Sequence, residues 1–228
     1  MLILAIESSA KPVSVAVYSV YDDDTCKLLG QSFQNNGFSH SRTLMAMTES
    51  LLKNLEIKPS DIDLIAVTKG PGSFTGVRIG VSAAKGLAWG LDVPVCGVST
   101  LKAMAYQTSR SGVIICPVMD ARREQVYNAL FEWRGGSLHR LCDDRAISLQ
   151  DLAADLSKYN LPVLLVGDGI NVCKANPAFS ECLTPGEPER FQTAYGVALA
   201  AAKAEKTNAI DLEPNYLRPS QAERERLS

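Results

Sequence analysis

The sequence predicts an α/β protein made of two tandem units, each a three-stranded meander followed by helices and further strands. Three observations carry this. Apolar runs of strand length recur from Leu2 to about Gly169, both meanders begin without a crossover helix, and the order strand-strand-strand-helix-strand occurs before Gly112 and again after it. With 228 residues, 46% of them hydrophobic, the chain can bury one large core or two modest ones.

In the first unit, "LILAIESS" (Leu2 to Ser9), "VSVAVYSV" (Val13 to Val20) and "KLLGQSFQN" (Lys27 to Asn35) read as strands joined by short turns. "SHSRTLMAMTESLLKNLEI" carries Leu44, Met47, Leu51 and Leu55 at helical spacing, with Ser39 or Ser41 as N-cap. The strand "DLIAVTK" (Asp63 to Lys69) then meets "KGPGSFTGVRIG" (Lys69 to Gly80), which opens a helix to about Gly90, and "VPVCGVS" (Val93 to Ser99) is a further strand. In the second unit, "GVIICPVMD" (Gly112 to Asp120), "EQVYNALFEW" (Glu124 to Trp133) and "SLHRLCDD" (Ser137 to Asp144) are strands. A helix from Ser148 to Tyr159, capped by Ser148 with Asp151 three residues on, leads to the strand "PVLLVGDG" (Pro162 to Gly169), and a last helix spans Arg190 to Thr207. Expected boundaries are 1–108 for the first lobe, 109–207 for the second, and 208–228 for a charged, Pro-broken tail that is extended or loosely packed.

Composition excludes several classes. The formal charge is −2, so no strong field favours nucleic acid. No apolar run approaches the ~18 residues a membrane span needs, and the apolar start lacks the basic flank of a signal peptide, so a cytoplasmic location is expected. Six scattered cysteines without a Cys-x-x-Cys pair read as reduced core thiols.

Two such units in tandem describe the actin-like ATPase (ribonuclease H-like) architecture, which by itself implies no function. The blocks "AIESS", "KGPGSFTGVRIG", "PVMDARREQVYNALF", "LVGDG" and "PNYLRP" make the chain similar, over essentially its whole length, to the bacterial TsaB (YeaZ) family. That resemblance implies a complex that makes threonylcarbamoyladenosine in tRNAs reading codons that begin with A. It further implies a non-catalytic subunit that binds and supports its catalytic paralogue TsaD, in a complex that also recruits the small ATPase TsaE. The chain would be a homodimer when alone, would meet tRNA only through the complex, and would leave ATP and a metal ion to partner subunits.

The residues themselves keep two readings of the Gly-rich loop open. A strand-loop-helix junction is an anion site in principle. Yet Gly76 is followed by Val77-Arg78 where a P-loop needs Lys-Ser/Thr, and the dinucleotide fingerprint ends at Thr75. The turn "ESSAKPVS" also lacks the glycine of phosphate-binding kinase hairpins, which leaves Glu7, Lys11, Gly72 and Ser73 as weak nucleotide candidates. The other reading is a joint. Gly76, Gly80, Ala84 and Ala88 repeat every fourth residue, forming a face with almost no side chain that receives either Leu44, Met47 and Leu51 of the same chain or a second subunit. The resemblance favours the subunit interface, so bulky residues at Gly80 or Ala84 are expected to abolish association while the fold survives.

Aligning the metal-binding helical histidine pair of the paralogue on "CGVSTLKAMA" places Thr100 and Met104 at those positions, and neither suits a hard or borderline cation. His40 and His139 are far apart in sequence, which leaves a serine triad or metallopeptidase short of parts. In "DARREQVY", Asp120, Arg122, Arg123 and Glu124 form a salt-bridged turn or place Arg122 and Arg123 on a partner or tRNA phosphate. The alternative from another class is an enzyme, an ATP-dependent phosphotransferase of sugar-kinase type or a peptidase.

Overall fold

The computed structural model describes residues 1–21, 25–37, 40–187 and 189–218; the Ser39 cap and the tail from 219 lie outside them. β1 (Leu2–Glu7), β2 (Val13–Val20) and β3 (Cys26–Gln34) form the antiparallel meander. α1 (His40–Asn54) then crosses one face of the sheet, so Ser41 sits inside the helix rather than capping it. β4 (Leu64–Gly70) returns parallel to β1, α2 (Phe74–Leu91) crosses the same face, and β5 (Val95–Ser99) adds parallel to β4. The order is β3-β2-β1-β4-β5.

β1 is buried on both faces, which is why "LILAI" reads as a continuous apolar run rather than an alternating one. Leu4 and Ile6 pack under α1 and α2 with Leu44, Val77 and Val81, while Ile3 and Ala5 point to the opposite face. α3 (Thr100–Thr108) follows β5 directly, capped by Ser99, whose Oγ accepts the Lys102 amide at 3.2 Å.

The second sheet contains β6 (Ile114–Asp120), β7 (Gln125–Asn128), β8 (Phe131–Arg134), β9 (Ser137–Arg140) and β10 (Arg145–Ser148), in the order β10-β7-β6-β8-β9. The single strand expected from Glu124 to Trp133 is broken in two. At the break, the buried Asn128 side chain donates to the carbonyls of Pro117 and Ala129, both at 3.0 Å, and takes the place of ladder bonds there. β10 also exceeds the sequence reading, which ends its third strand at Asp144; the chain instead turns after Arg140 and pairs Arg145–Ser148 with β7.

Ser148 caps α4 (Leu149–Leu156) as expected, accepting the Asp151 amide at 3.0 Å. β11 (Val163–Val166) then pairs parallel to β6, and the short α5 (Ile170–Lys174) follows. α6 is only Ala194–Ala201, far shorter than the helix expected over Arg190–Thr207. Gln107 of α3 holds the preceding segment extended, donating to Phe191 O and accepting from Thr193 Oγ1, and Thr207 pairs with Val95 of β5 beyond the helix. α6 packs on β1 and β2, so a helix placed by sequence order in the second unit (109–207) covers the free face of the first sheet.

The described part of the tail, residues 208–218, is not loose. Leu212 is 3% exposed in the core beneath α2, because Gly97 leaves room for its methyl and Lys85 Nζ donates to the carbonyls of Ile210 and Leu212. None of the six cysteines forms a disulfide; Cys96, Cys116 and Cys173 are buried, whereas Cys26 is exposed and is no core thiol. Among the described residues no helix is long and apolar enough to cross a membrane. Two such sheets, the first built on the β1-β2-β3 meander and the second on β6, β7 and β10 with β11 parallel to β6, make the actin-like, ribonuclease H-like architecture.

Candidate functional site: a glycine joint beside an interlobe cleft

The turn after β1 lies directly on α2. A Cβ added at Gly72 would stand 2.3 Å from Ser9 O, one at Gly76 2.2 Å from Ser8 O, and one at Gly80 2.3 Å from Ser8 Oγ. The repeat of four thus seats one loop of the same chain along one helix face, with a backbone approach that any side chain would block. Hydrogen bonds fasten the contact: Ser73 N donates to Ser9 O at 2.6 Å, and Ser8 Oγ donates to Gly76 O at 2.9 Å. Ser73 also caps the helix through its hydroxyl.

This corrects the assignment of the small face to a second subunit. Gly76, Gly80, Ala84 and Ala88 are buried inside the chain, as are Leu44, Met47 and Leu51 of α1, all turned toward the first sheet and its loop. Periodicity locates the close contact but not its other party, since a loop backbone and a neighbouring helix require the same small residues. The exposed flanks of the two helices carry other residues. Met45 on α1 is 46% exposed and Trp89 on α2 73% exposed, and Gly86 and Gly90 beside Trp89 have open space where a Cβ would go. Ile210, 69% exposed, lies next to this flank through the Lys85 hydrogen bond.

A cleft of about 600 Å³ opens between the lobes, lined by Lys11, Gly72, Ser73, Arg122, Asp168 and Arg218 among others. Three of the four weak nucleotide candidates therefore sit on its wall. Glu7, the fourth, is wholly buried behind it: its Oε1 accepts the Ser9 amide and hydroxyl, both at 2.6 Å, and its Oε2 has no hydrogen-bond partner among the described residues. Burial pushes the Glu7 carboxyl up to about 7, against the Ser9 hydrogen bonds that hold it down. Asp168 is pushed up to about 6, first by burial and then by the charge of Asp120.

Arg122 and Arg123 stand at the turn between β6 and β7, where Arg122, Arg123 and Glu124 all have positive φ. Arg122 folds back on Asp120, its amide donating at 2.7 Å and its guanidinium at 3.1 Å, so the salt-bridged turn is present and the Arg122 side chain is still 83% exposed at the cleft. Thr100 and Met104 are closed into apolar core on α3. His40 Nε2 lies 2.6 Å from Ala10 O in the first lobe, and His139 faces Glu132 across the β8–β9 ladder in the second. Among the described residues no group of three or more His, Cys, Asp or Glu side chains is placed to hold a metal ion.

The contribution of the tail to this site, Asn215 to Arg218, is absent from the sequence reading. Its signal was the block "PNYLRP" itself, in which an apolar and an aromatic residue interrupt a stretch that otherwise looks solvated.

Comparison with known proteins agrees with this architecture and with the class it suggests. A model of the TsaD family, described as tRNA N6-adenosine threonylcarbamoyltransferase, matches residues 36–223. The tRNA threonylcarbamoyladenosine biosynthesis protein TsaB of Bacillus subtilis is 33% identical over 98% of this chain and 96% of its own. TsaB of Haemophilus influenzae is 27% identical over 96% and 94%. The solved YeaZ from Pseudomonas aeruginosa superposes with a TM-score of 0.75 over 95% of this chain and 99% of that one, at 23% identity, which supports the fold. The chain shares its domain type with the threonylcarbamoyltransferases, and within that class it belongs to the TsaB family of tRNA threonylcarbamoyladenosine biosynthesis proteins.

Proposed function

We propose that this chain is a non-catalytic subunit of the assembly that installs threonylcarbamoyl on tRNA adenosine, and that it docks the catalytic paralogue TsaD on the outer flank of α1 and α2. The observation that carries the proposal is Trp89, 73% exposed between two glycines whose Cβ positions are open. Large aromatic side chains beside space for close backbone approach are what protein interfaces use as anchors. The same flank serves a second copy of the chain when the paralogue is absent, giving a homodimer that the heteromeric contact replaces. TsaE joins the assembly, and tRNA is held through it, in the cytoplasm.

Two features support the non-catalytic part. The groove along the start of α2 is filled by the chain's own Ser8 and Ser9 backbone, and the positions aligned with the paralogue's metal-binding histidines are Thr100 and Met104, both buried. ATP and a metal ion then belong to partner subunits. The test is reconstitution with purified components. The chain alone is expected to leave tRNA unmodified and ATP unhydrolysed above a Glu7→Ala control, and to raise modification by TsaD and TsaE when added. Turnover by the wild-type chain alone above that control would favour the phosphotransferase reading instead.

A further inference from the structure

After α6, the chain runs along the first lobe from β5 to the mouth of the cleft. Leu212 is its buried anchor, and Asn215 N donates to Lys69 O at 2.6 Å at the end of β4. Gly70, with φ of +115°, lets that strand end pass under the segment; a Cβ there would stand 2.4 Å from Asn215 O. Next, Tyr216 stacks on Phe74 with ring centroids 4.7 Å apart, and the Arg78 guanidinium lies 3.8 Å from the Phe74 centroid while its Nε donates to Tyr216 Oη at 2.8 Å. Two residues on, Arg218 leaves the first lobe, and its Nη1 donates to Ala121 O at 3.0 Å in the second. The two fastenings differ in kind. The first-lobe end combines a buried leucine, a backbone bond and a stacked triplet, whereas the second-lobe end is a half-exposed guanidinium on an uncharged carbonyl, a contact that can break and re-form without burying or stranding a charge.

We propose that residues 207–218 form a latch across the mouth of the interlobe cleft, anchored on the first lobe by Leu212 and the Phe74–Arg78–Tyr216 stack and closed on the second by the Arg218–Ala121 hydrogen bond. Asn215 to Arg218 line the cleft together with Lys11, Arg122 and Asp168, so the latch controls access to a polar, mixed-charge floor. Beyond the latch the lobes share a continuous apolar core, in which Leu101 and Met104 pack with Ile115 and Phe131. Met119 stands at the edge of that core on the cleft wall, so the lobes part at the mouth, at Met119, rather than in the core behind it.

Met119 reports on the mouth, because it lines the cleft yet is only 3% exposed. Its thioether oxidises to the sulfoxide when peroxide reaches it, and peptide mass spectrometry follows the rate at each methionine of the full-length chain. With Arg218→Ala, Met119 is expected to oxidise about fivefold faster than in the wild type, the factor that ~1 kcal/mol gives in an opening equilibrium. The exposed Met45 should keep its rate, and the core residues Met47 and Met104 should stay slow. Tyr216→Ala, which releases the other end, is expected to act in the same way. Oxidation of Met119 at the wild-type rate in folded Arg218→Ala overturns the latch. So does acceleration that Met47 and Met104 share, because that is loosening of the whole fold.

Discussion

Gly76 and Gly86 occupy one helix and should respond oppositely to the same added methyl. At Gly76 the new carbon would lie 2.2 Å from Ser8 O, a backbone atom held by the β1–β2 turn, so Gly76→Ala is expected to destabilise the protein by about 1–3 kcal/mol. At Gly86 nothing lies within 4 Å, and Gly86→Ala should stabilise by roughly 0.5–1 kcal/mol through helix propensity and a less flexible unfolded chain. Denaturant midpoints of the two variants check both signs. Glu7 sets a pH dependence at the same junction. Its folded value of about 7 lies above its ordinary 4.5, so the folded state binds the proton more tightly than the unfolded one. Stability therefore falls as pH rises from about 4.5 through 7 and levels above that, and Asp168, at about 6 in place of 3.8, adds a fall in the same direction. Glu7→Gln keeps the acceptor oxygen for Ser9 and removes the charge. It is expected to flatten much of this slope and to be more stable than wild type at pH 8 by an amount on the order of 3 kcal/mol at most, measured by urea unfolding across pH. A slope unchanged by the substitution would show that Glu7 is not its source.

At the scale of elements, the first meander and the Ser148 cap were legible because they rest on local signals: strand-length apolar runs and one side chain within reach of its own helix. The split at Asn128 and the short α6 were not, because each is decided by a partner distant in sequence, Pro117 in one case and Gln107 in the other. Half of the candidate site was legible for the same reason. The small-residue repeat on α2 announced a close approach, but Ser8 and Ser9, which make it, are ordinary turn residues until the sheet places them against the helix. The sequence suggests a tail that is extended or loosely packed, and the anchoring of residues 208–218 was not legible because a Pro-broken, charged composition conceals one buried side chain, Leu212. Leu212→Ala should accordingly cost about 2–4 kcal/mol, a core-sized loss, in a thermal or denaturant melt. A loss below about 0.5 kcal/mol, typical of surface positions, would return the tail to the loosely packed state expected from its composition.

Across the whole molecule, the buried glycine face of α2 is covered by the chain's own Ser8–Ser9 loop, and the most exposed large aromatic among the described residues, Trp89, lies on the outer flank of that helix. Calorimetric titration of purified TsaD into wild-type chain and into Trp89→Ala tests whether this flank, and not the buried glycine face, receives the catalytic paralogue. Trp89 is 73% exposed, so the variant should melt within a few degrees of wild type. Its affinity for TsaD should fall by at least about tenfold, as expected for truncation of an interface anchor. Wild-type affinity in a folded Trp89→Ala chain would contradict the account.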